Sequence, residues 1–357
     1  MLCTEESVPE MGLILHIEKQ TGPFFLKVNL EMEDGILALL GESGCGSSLV
    51  LRCIAGIEKP DRGRIIVDDT VFYDSEKHID LPPQKRLAGM MFRNYALFPS
   101  MSVYDNIYAG ANREHDRQRR VRMVNDMLER FGLTDVKDLK PSLLSADLQM
   151  RTALARLLLS SSRILLLEDP FSAVEQNCRF RLEREFRSSL ADFGKTVVFS
   201  TYDHEEVSRF ADHLAVMRDG NVAAFGRKAQ IFADPKTRYT ASLTGCDNIS
   251  PIRIMGPKRV LALDWNVELD TDVPVGNGAF VGIRRRDVVS GVGLNSCFCD
   301  VLDAVENTSS YTLILRPAER ESAGLIFWET DKKTWQQLRS RQISVRLPSE
   351  SLLLLNS

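Results

Sequence analysis

This sequence is short of several features that would each have settled a class of function. No apolar run approaches the ~18 residues of a membrane-spanning helix, and no secretory h-region opens the chain. Membrane association is therefore expected only through a partner, and the compartment is expected to be reducing. Basic charge is not in excess: 45 Lys and Arg stand against 49 Asp and Glu, for a net charge of −4. That gives no support for a nucleic-acid partner, which would normally show as a basic stripe. The seven cysteines (Cys3, Cys45, Cys53, Cys178, Cys246, Cys297 and Cys299) are odd in number and lack the paired spacing of a metal site. The C-x-C of Cys297 and Cys299 has no second pair nearby. Low-complexity tracts and internal repeats are absent too. What remains is an ordinary globular composition, 44% hydrophobic and 26% charged over 357 residues, long enough for two or more domains.

The patterning that is present alternates strand and helix. "GILALLG" (35–41) is a short apolar run ending in glycine, as expected of a buried strand. "SSLVLRCIAG" follows with helical spacing and a glycine stop at Gly56. "RILLLEDP" (163–170) and "KTVVFSTYD" (195–203) predict two more buried strands, with helical segments before and between them. The alternation predicts a mainly parallel α/β sheet covered on both faces. "LAVMRDGNVAAFG" predicts a hairpin turning at Asp219-Gly220. From Ile252 onward the runs become short and β-rich ("RVLALDW", "AFVGIRRRDVV", "YTLILRP", "GLIFWET", "QISVRLP"), as in a small all-β domain. A second β unit is expected near Asn295.

"GESGCGSSLV" (41–50) joins the first strand to the first helix. Gly41, Ser43, Gly44 and Gly46 suit a phosphate-cradling turn, and Ser48 suits the hydroxyl that meets Mg²⁺. The lysine that such a loop carries is replaced by Ser47. Downstream, "LRCIAGIEKPDRGRI", "NYALFPSMSVYDNI", "LLSADLQMRTALARLLL", "RILLLEDPFSAVE" and "TVVFSTYDHEEVSRFADHLAVMRDG" follow in one order. Together these segments resemble the ATP-binding subunit of ABC importers. "LPPQKR", "LTGCDNIS" and the β-rich tail are most similar to the molybdate/tungstate branch with its C-terminal regulatory domain. The resemblance runs from about Gly12 through nearly the whole chain.

That resemblance implies a P-loop NTPase core over residues 11–235 with a helical subdomain at about 94–160. A linker at 236–251 and a β-rich, oxyanion-binding-like domain at 252–357 follow. It implies ATP and Mg²⁺ as cofactors, a membrane permease as partner, a homodimer of ATP-binding subunits, and a place at the inner face of the membrane. It also implies a role for each motif position, and here the residues depart. Arg93 stands where the family has a glutamine beside Mg²⁺ and the attacking water. Ser145, Ala146 and Asp147 stand in the signature motif, where glycines let backbone N–H groups approach a γ-phosphate held by the opposite subunit. The bland alternative for that stretch is a helix start, with Ser145 as N-cap and Asp147 favourable to the dipole.

Glu168 and Asp169 reverse the family's metal-binding aspartate and water-polarising glutamate. Tyr202 replaces the switch histidine, and His204, two residues on, is a poor substitute. Val174 and Glu175 stand for a Leu-Asp pair. Phe24 is a candidate to stack on adenine or, equally, to pack in the core. Each composite site of such a dimer joins one chain's phosphate loop to the other's signature, so these replacements imply weak or absent ATP binding and impaired or absent hydrolysis. The alternatives are a working ATPase that energises molybdate import, and a non-catalytic module whose tail senses an oxyanion.

Overall fold

The computed structural model describes residues 11–318 and 322–357; Cys3 lies outside them. Two compact units divide at Lys228 and Ala229. In the first, the strands assemble into one sheet. From edge to edge it runs Ile79–Asp80, Thr70–Asp74, Arg62–Val67, Met11–Thr21, Phe24–Glu33, Asn221–Arg227, His213–Arg218, Ile36–Gly41, Val197–Thr201, Ile164–Glu168 and Ala88–Met91.

The five strands from His213–Arg218 to Ala88–Met91 are parallel. Every residue of Ile164–Glu168 and Val197–Thr201 is buried, as a sheet covered on both faces requires. The other half is antiparallel except where Asn221–Arg227 meets Phe24–Glu33 in parallel, which corrects the expectation of a mainly parallel sheet. Its strand Phe24–Glu33 alternates buried and exposed residues, so one face meets water. Two-residue turns build this half. Asp68 and Asp69 take φ of 43° and 60°, the left-handed pair that a tight hairpin needs. Asp219 and Gly220, at 47° and 81°, turn the hairpin that the sequence predicts.

Helices Val103–Gly110, Arg117–Arg130 and Ala146–Leu158 lie between the strands Ala88–Met91 and Ile164–Glu168 in the chain. The first begins with a capping box: Ser102 Oγ accepts from the Asp105 amide while Asp105 accepts from the Ser102 amide. Buried Asn106 then donates to the carbonyls of Phe98 (3.2 Å) and Ser102 (2.9 Å), pinning the loop before the helix.

The second unit holds two five-stranded antiparallel sheets. Their core includes Trp265, Val281, Leu313, Trp328 and Val345. All five β-rich runs predicted from the sequence contain strands. Residues 236–251, expected as a linker, are built into this unit. They contain the helix Arg238–Leu243, capped by Thr237, and the start of the strand Asn248–Gly256. The cause is long-range: the Arg238 amide donates to the Asn356 carbonyl, and the Asn356 amide to the Lys236 carbonyl.

Candidate functional site

Parallel pairing places the carboxyl ends of neighbouring strands along one edge. Gly41 registers with Met217, Leu40 with Thr201, Glu168 with Ser200, and Leu167 with Met91. The loops that follow carry residues 41–48, Tyr202, Glu168 and Asp169, and Arg93. Open α/β sheets bind ligands at this edge.

The 41–48 loop is shaped by close approach and by left-handed backbone. A Cβ on Gly41 would sit 2.6 Å from the Met217 carbonyl oxygen and 2.7 Å from Cys45 Sγ. Gly46 has φ of 103°, and a Cβ there would meet Leu26 at 2.9 Å and the Phe24 ring at 3.0 Å. Phe24 thus packs beneath the loop and against the core, half-buried. Ser43 and Gly44 are exposed at the tip. The helix Ser47–Ala55 starts directly after Gly46, so its unpaired N–H groups lie at the loop, an arrangement suited to an anion. Ser47 is buried, and its Oγ accepts from the Cys45 thiol at 3.6 Å. It stabilises the loop from within and has no reach toward a terminal phosphate.

Arg52 follows Ser48 by four positions on this helix, and residues so spaced share a face. Its Nη2 lies 3.8 Å from Oε1 of buried Glu168. The neighbouring carboxylate, Asp169, is also buried and sits at a left-handed φ of 46°. Its amide donates to the Ser200 carbonyl at 3.1 Å, tying the turn to the next strand. Arg93 Nε comes within 3.3 Å of Asp169 Oδ2, yet out of hydrogen-bond alignment, so that buried oxygen has a charge beside it and no hydrogen bond. Burial pushes the Asp169 carboxyl above its ordinary range, and the Arg93 charge opposes this without reversing it. Arg52, Phe92, Arg93, Asn94, Glu168, Ser172 and Ala173 line a cleft of about 630 Å³.

The Arg93 loop is held firmly. Tyr95 and Ala96 adopt left-handed φ of 62° and 41°, and Arg156 Nη2 donates to both their carbonyls, at 3.1 and 3.0 Å. Tyr95 also donates its hydroxyl to the Pro170 carbonyl at 3.3 Å. That contact ties the arginine's loop to the carboxylate's turn.

Tyr202 is 46% exposed at the end of its strand. The loop around it is anchored by a buried network: Thr201 Oγ1 donates to Glu206 at 2.5 Å, and Arg179 bonds Glu206, Asp203 (2.7 Å) and Glu183 (3.0 Å). Burial raises the Glu206 carboxyl to about 7, although Thr201 and Arg179 both act to lower it. His204 turns to Glu205 at 3.7 Å. Val174 is buried and Glu175 N-caps the helix Gln176–Phe193 by position.

Ser145, Ala146 and Asp147 do not line the cleft. Ser145 occupies the N-cap position of Ala146–Leu158, but its hydroxyl donates to the Asp147 carboxylate and makes no cap to a backbone N–H. Asp147 lies 4.0 Å from Arg151, which in turn pairs with Glu185 at 2.7 Å. The structure therefore groups the 41–48 loop, Arg93, Glu168 and Asp169 at one edge and leaves the signature residues apart. Arg52, Asn94 and Ser172 were missed from sequence. For Arg52 the signal was available in its four-residue spacing from Ser48.

A family model described as "ABC transporter" matches residues 25–172. The trehalose/maltose import ATP-binding protein MalK of Thermococcus litoralis is 35% identical over 221 residues, 61% of this chain and 59% of that protein. The spermidine/putrescine import ATP-binding protein PotA of Spiroplasma citri is 31% identical over 302 residues, covering 78% of this chain and 85% of that one. The chain belongs to the ABC transporter family. Among solved structures, cbiO1 of Clostridium perfringens, described as part of the ABC transporter complex cbiONQ, has 25% identity and a TM-score of 0.54. It covers 63% of this chain and 92% of that one. A dimeric structure of the bacterial ABC transporter cassette MJ0796 has a TM-score of 0.52 at 23% identity, covering 60% and 98%; it supports the fold. The aligned part is thus less than two thirds of MalK's length and most of PotA's.

ABC transporter ATP-binding domains normally take ATP with Mg²⁺, and the two ligands fit this chain differently. The glycine-shaped loop before the helix Ser47–Ala55 suits phosphate. Of the Mg²⁺ candidates, Ser48 is half-buried in the first turn of that helix, while Glu168 and its neighbour Asp169 each already face a guanidinium. Among the described residues, no group of three or more His, Cys, Asp or Glu could hold a metal ion. No described helix is long and apolar enough to cross a membrane.

Proposed function

We propose that this chain is the ATP-binding subunit of an ABC importer that keeps the nucleotide fold and has impaired or no ATP hydrolysis. The observation that carries this reading is the carboxylate pair at the sheet edge. Glu168 and Asp169 stand in reversed order, and each faces an arginine, so neither is free to hold Mg²⁺ or to polarise a water. Mg²⁺ requires near-ideal octahedral oxygen geometry, and displacing a catalytic group by about 1 Å costs on the order of 10²-fold. Ser47 for lysine, Arg93 for glutamine and Tyr202 for histidine remove further parts of phosphoryl-transfer chemistry. Ala146 crowds, and Asp147 charges, the surface offered to a partner's γ-phosphate. Losses of this kind act as a unit.

The working assembly in this reading is a homodimer docked on a membrane permease at the inner face of the membrane, as the importer names of its relatives support. Phe24, half-buried beside Gly46, is a candidate adenine contact. For cargo we keep an oxyanion of the molybdate type, sensed by the second unit; this rests on the tail and the "LTGCDNIS" stretch alone. Spermidine and trehalose/maltose are the competing cargoes. Equilibrium binding of molybdate to the full chain tests the cargo, and absence of saturable binding would set the oxyanion aside. ATP turnover with Mg²⁺ and the permease present tests the function: the expected outcome is no hydrolysis above background, and clear Mg²⁺-dependent turnover would restore the working-ATPase alternative.

A further inference from the structure

We propose that Arg93, with Arg52, takes the place of the divalent cation in this cleft, so that the site holds the phosphate end of a polyphosphate without metal. The inference rests on reading the cleft as the nucleotide site, and it names what that site binds and how. Asp169 Oδ2 is buried and has no hydrogen-bond partner, and the charge beside it is Arg93 Nε at 3.3 Å. Glu168 Oε1 faces Arg52 Nη2 at 3.8 Å. Two guanidiniums thus balance two carboxylates. A divalent ion between them would meet two like charges at short range, while an arriving phosphate would not meet bare carboxylates.

The arginines keep donors for a ligand. Arg93 approaches Asp169 through Nε, and its side chain is 62% exposed; Arg52 is 44% exposed. A planar guanidinium fork matches phosphate oxygens in a bidentate way that a lysine does not. The cleft of about 630 Å³ falls within the range of small-ligand sites. Arg52 also rides on the helix whose first turn ends the 41–48 loop. Backbone N–H groups and guanidinium therefore belong to one rigid element. The Arg93 loop, held by Arg156 and by the Tyr95 hydroxyl on Pro170, supplies the opposing wall.

The test uses the full-length protein and measures ATP binding by calorimetry in EDTA and in Mg²⁺. Mn²⁺ binding to the protein alone is followed by electron paramagnetic resonance, and inorganic triphosphate serves as competitor. The expected results are ATP affinities within about twofold with and without metal, no bound Mn²⁺, and displacement of ATP by triphosphate. Arg93→Gln, checked for an unchanged circular dichroism spectrum and melting point, is expected to weaken binding in EDTA by about tenfold. Binding that is tenfold or more tighter with Mg²⁺, or absent in EDTA, overturns the proposal, as does unchanged binding by Arg93→Gln. Failure of triphosphate to compete would place recognition in the nucleoside and also overturns it. ATP turnover is recorded in the same samples. Absent binding without turnover sinks this inference alone, whereas Mg²⁺-dependent turnover sinks the proposed function.

Discussion

The two sides of this sheet edge make their chemistry by different means. On one side, the 41–48 loop offers backbone N–H groups placed by Gly41, Gly44 and Gly46, and it depends on conformation more than on side chains. On the other, Arg93, Glu168 and Asp169 offer side-chain charge alone. The loop retains what it needs, because left-handed φ at Gly46 and close approach at Gly41 are conditions of folding as well as of binding. The side-chain wall carries no such condition. In the Arg93–Asp169 pair the arginine is exposed and the carboxylate buried, so the arginine is screened by water and the turn's backbone does not depend on it. Chemistry written in backbone conformation is also a condition of folding, and chemistry written in side-chain charge is not.

The largest effect is expected from breaking the backbone wall. Gly46→Val places a β-branched side chain at φ of 103° and within 3.0 Å of Leu26 and Phe24. A cost of about 3 kcal/mol is expected, visible as a lower urea midpoint, together with loss of ATP binding. Next comes the network behind Tyr202. The raised Glu206 carboxyl means that the folded chain favours the protonated acid, chiefly because of burial. Its contribution is full below about pH 4.5 and is lost as pH rises through about 7. Chemical-denaturation stability is therefore expected to fall by about 2 kcal/mol from pH 5 to pH 8 on this account, and Glu206→Gln should flatten that slope.

Smaller effects sharpen the side-chain wall. Ser47→Lys adds a charge-assisted contact to the terminal phosphates, so ATP affinity is expected to rise about tenfold, the equivalent of ~1.4 kcal/mol. Hydrolysis should remain absent, because the carboxylate pair and Arg93 are unchanged; full turnover from this single change would refute a failure spread over several motifs. The smallest effect is on folding: Arg93→Gln should shift stability by less than about 1 kcal/mol even while it weakens ligand binding, and a larger loss would give the arginine a structural role.

The strand–loop–helix at 36–55 was legible because glycine spacing and an apolar run report local conformation directly. So was the hairpin at Asp219-Gly220, since the turn type demands such residues. The antiparallel half of the sheet was not, because pairing of Met11–Thr21 with Arg62–Val67 is a long-range register that no local pattern encodes. The position of Arg93 was legible through motif order, but its approach to Asp169 was not; that depends on Arg156 fastening the loop from a distant helix. Ser145 illustrates the same limit at short range. Its N-cap position was readable, while the turn of its hydroxyl to Asp147 depends on which acceptor lies nearer.

The central claim is that the fold cradles a polyphosphate that its side chains cannot cleave. Phosphate release from ATP by the full-length chain with Mg²⁺ and its permease tests this most directly. The account expects a rate equal to that of ATP without protein; a saturable, Mg²⁺-dependent rate abolished by Asp169→Asn would contradict it.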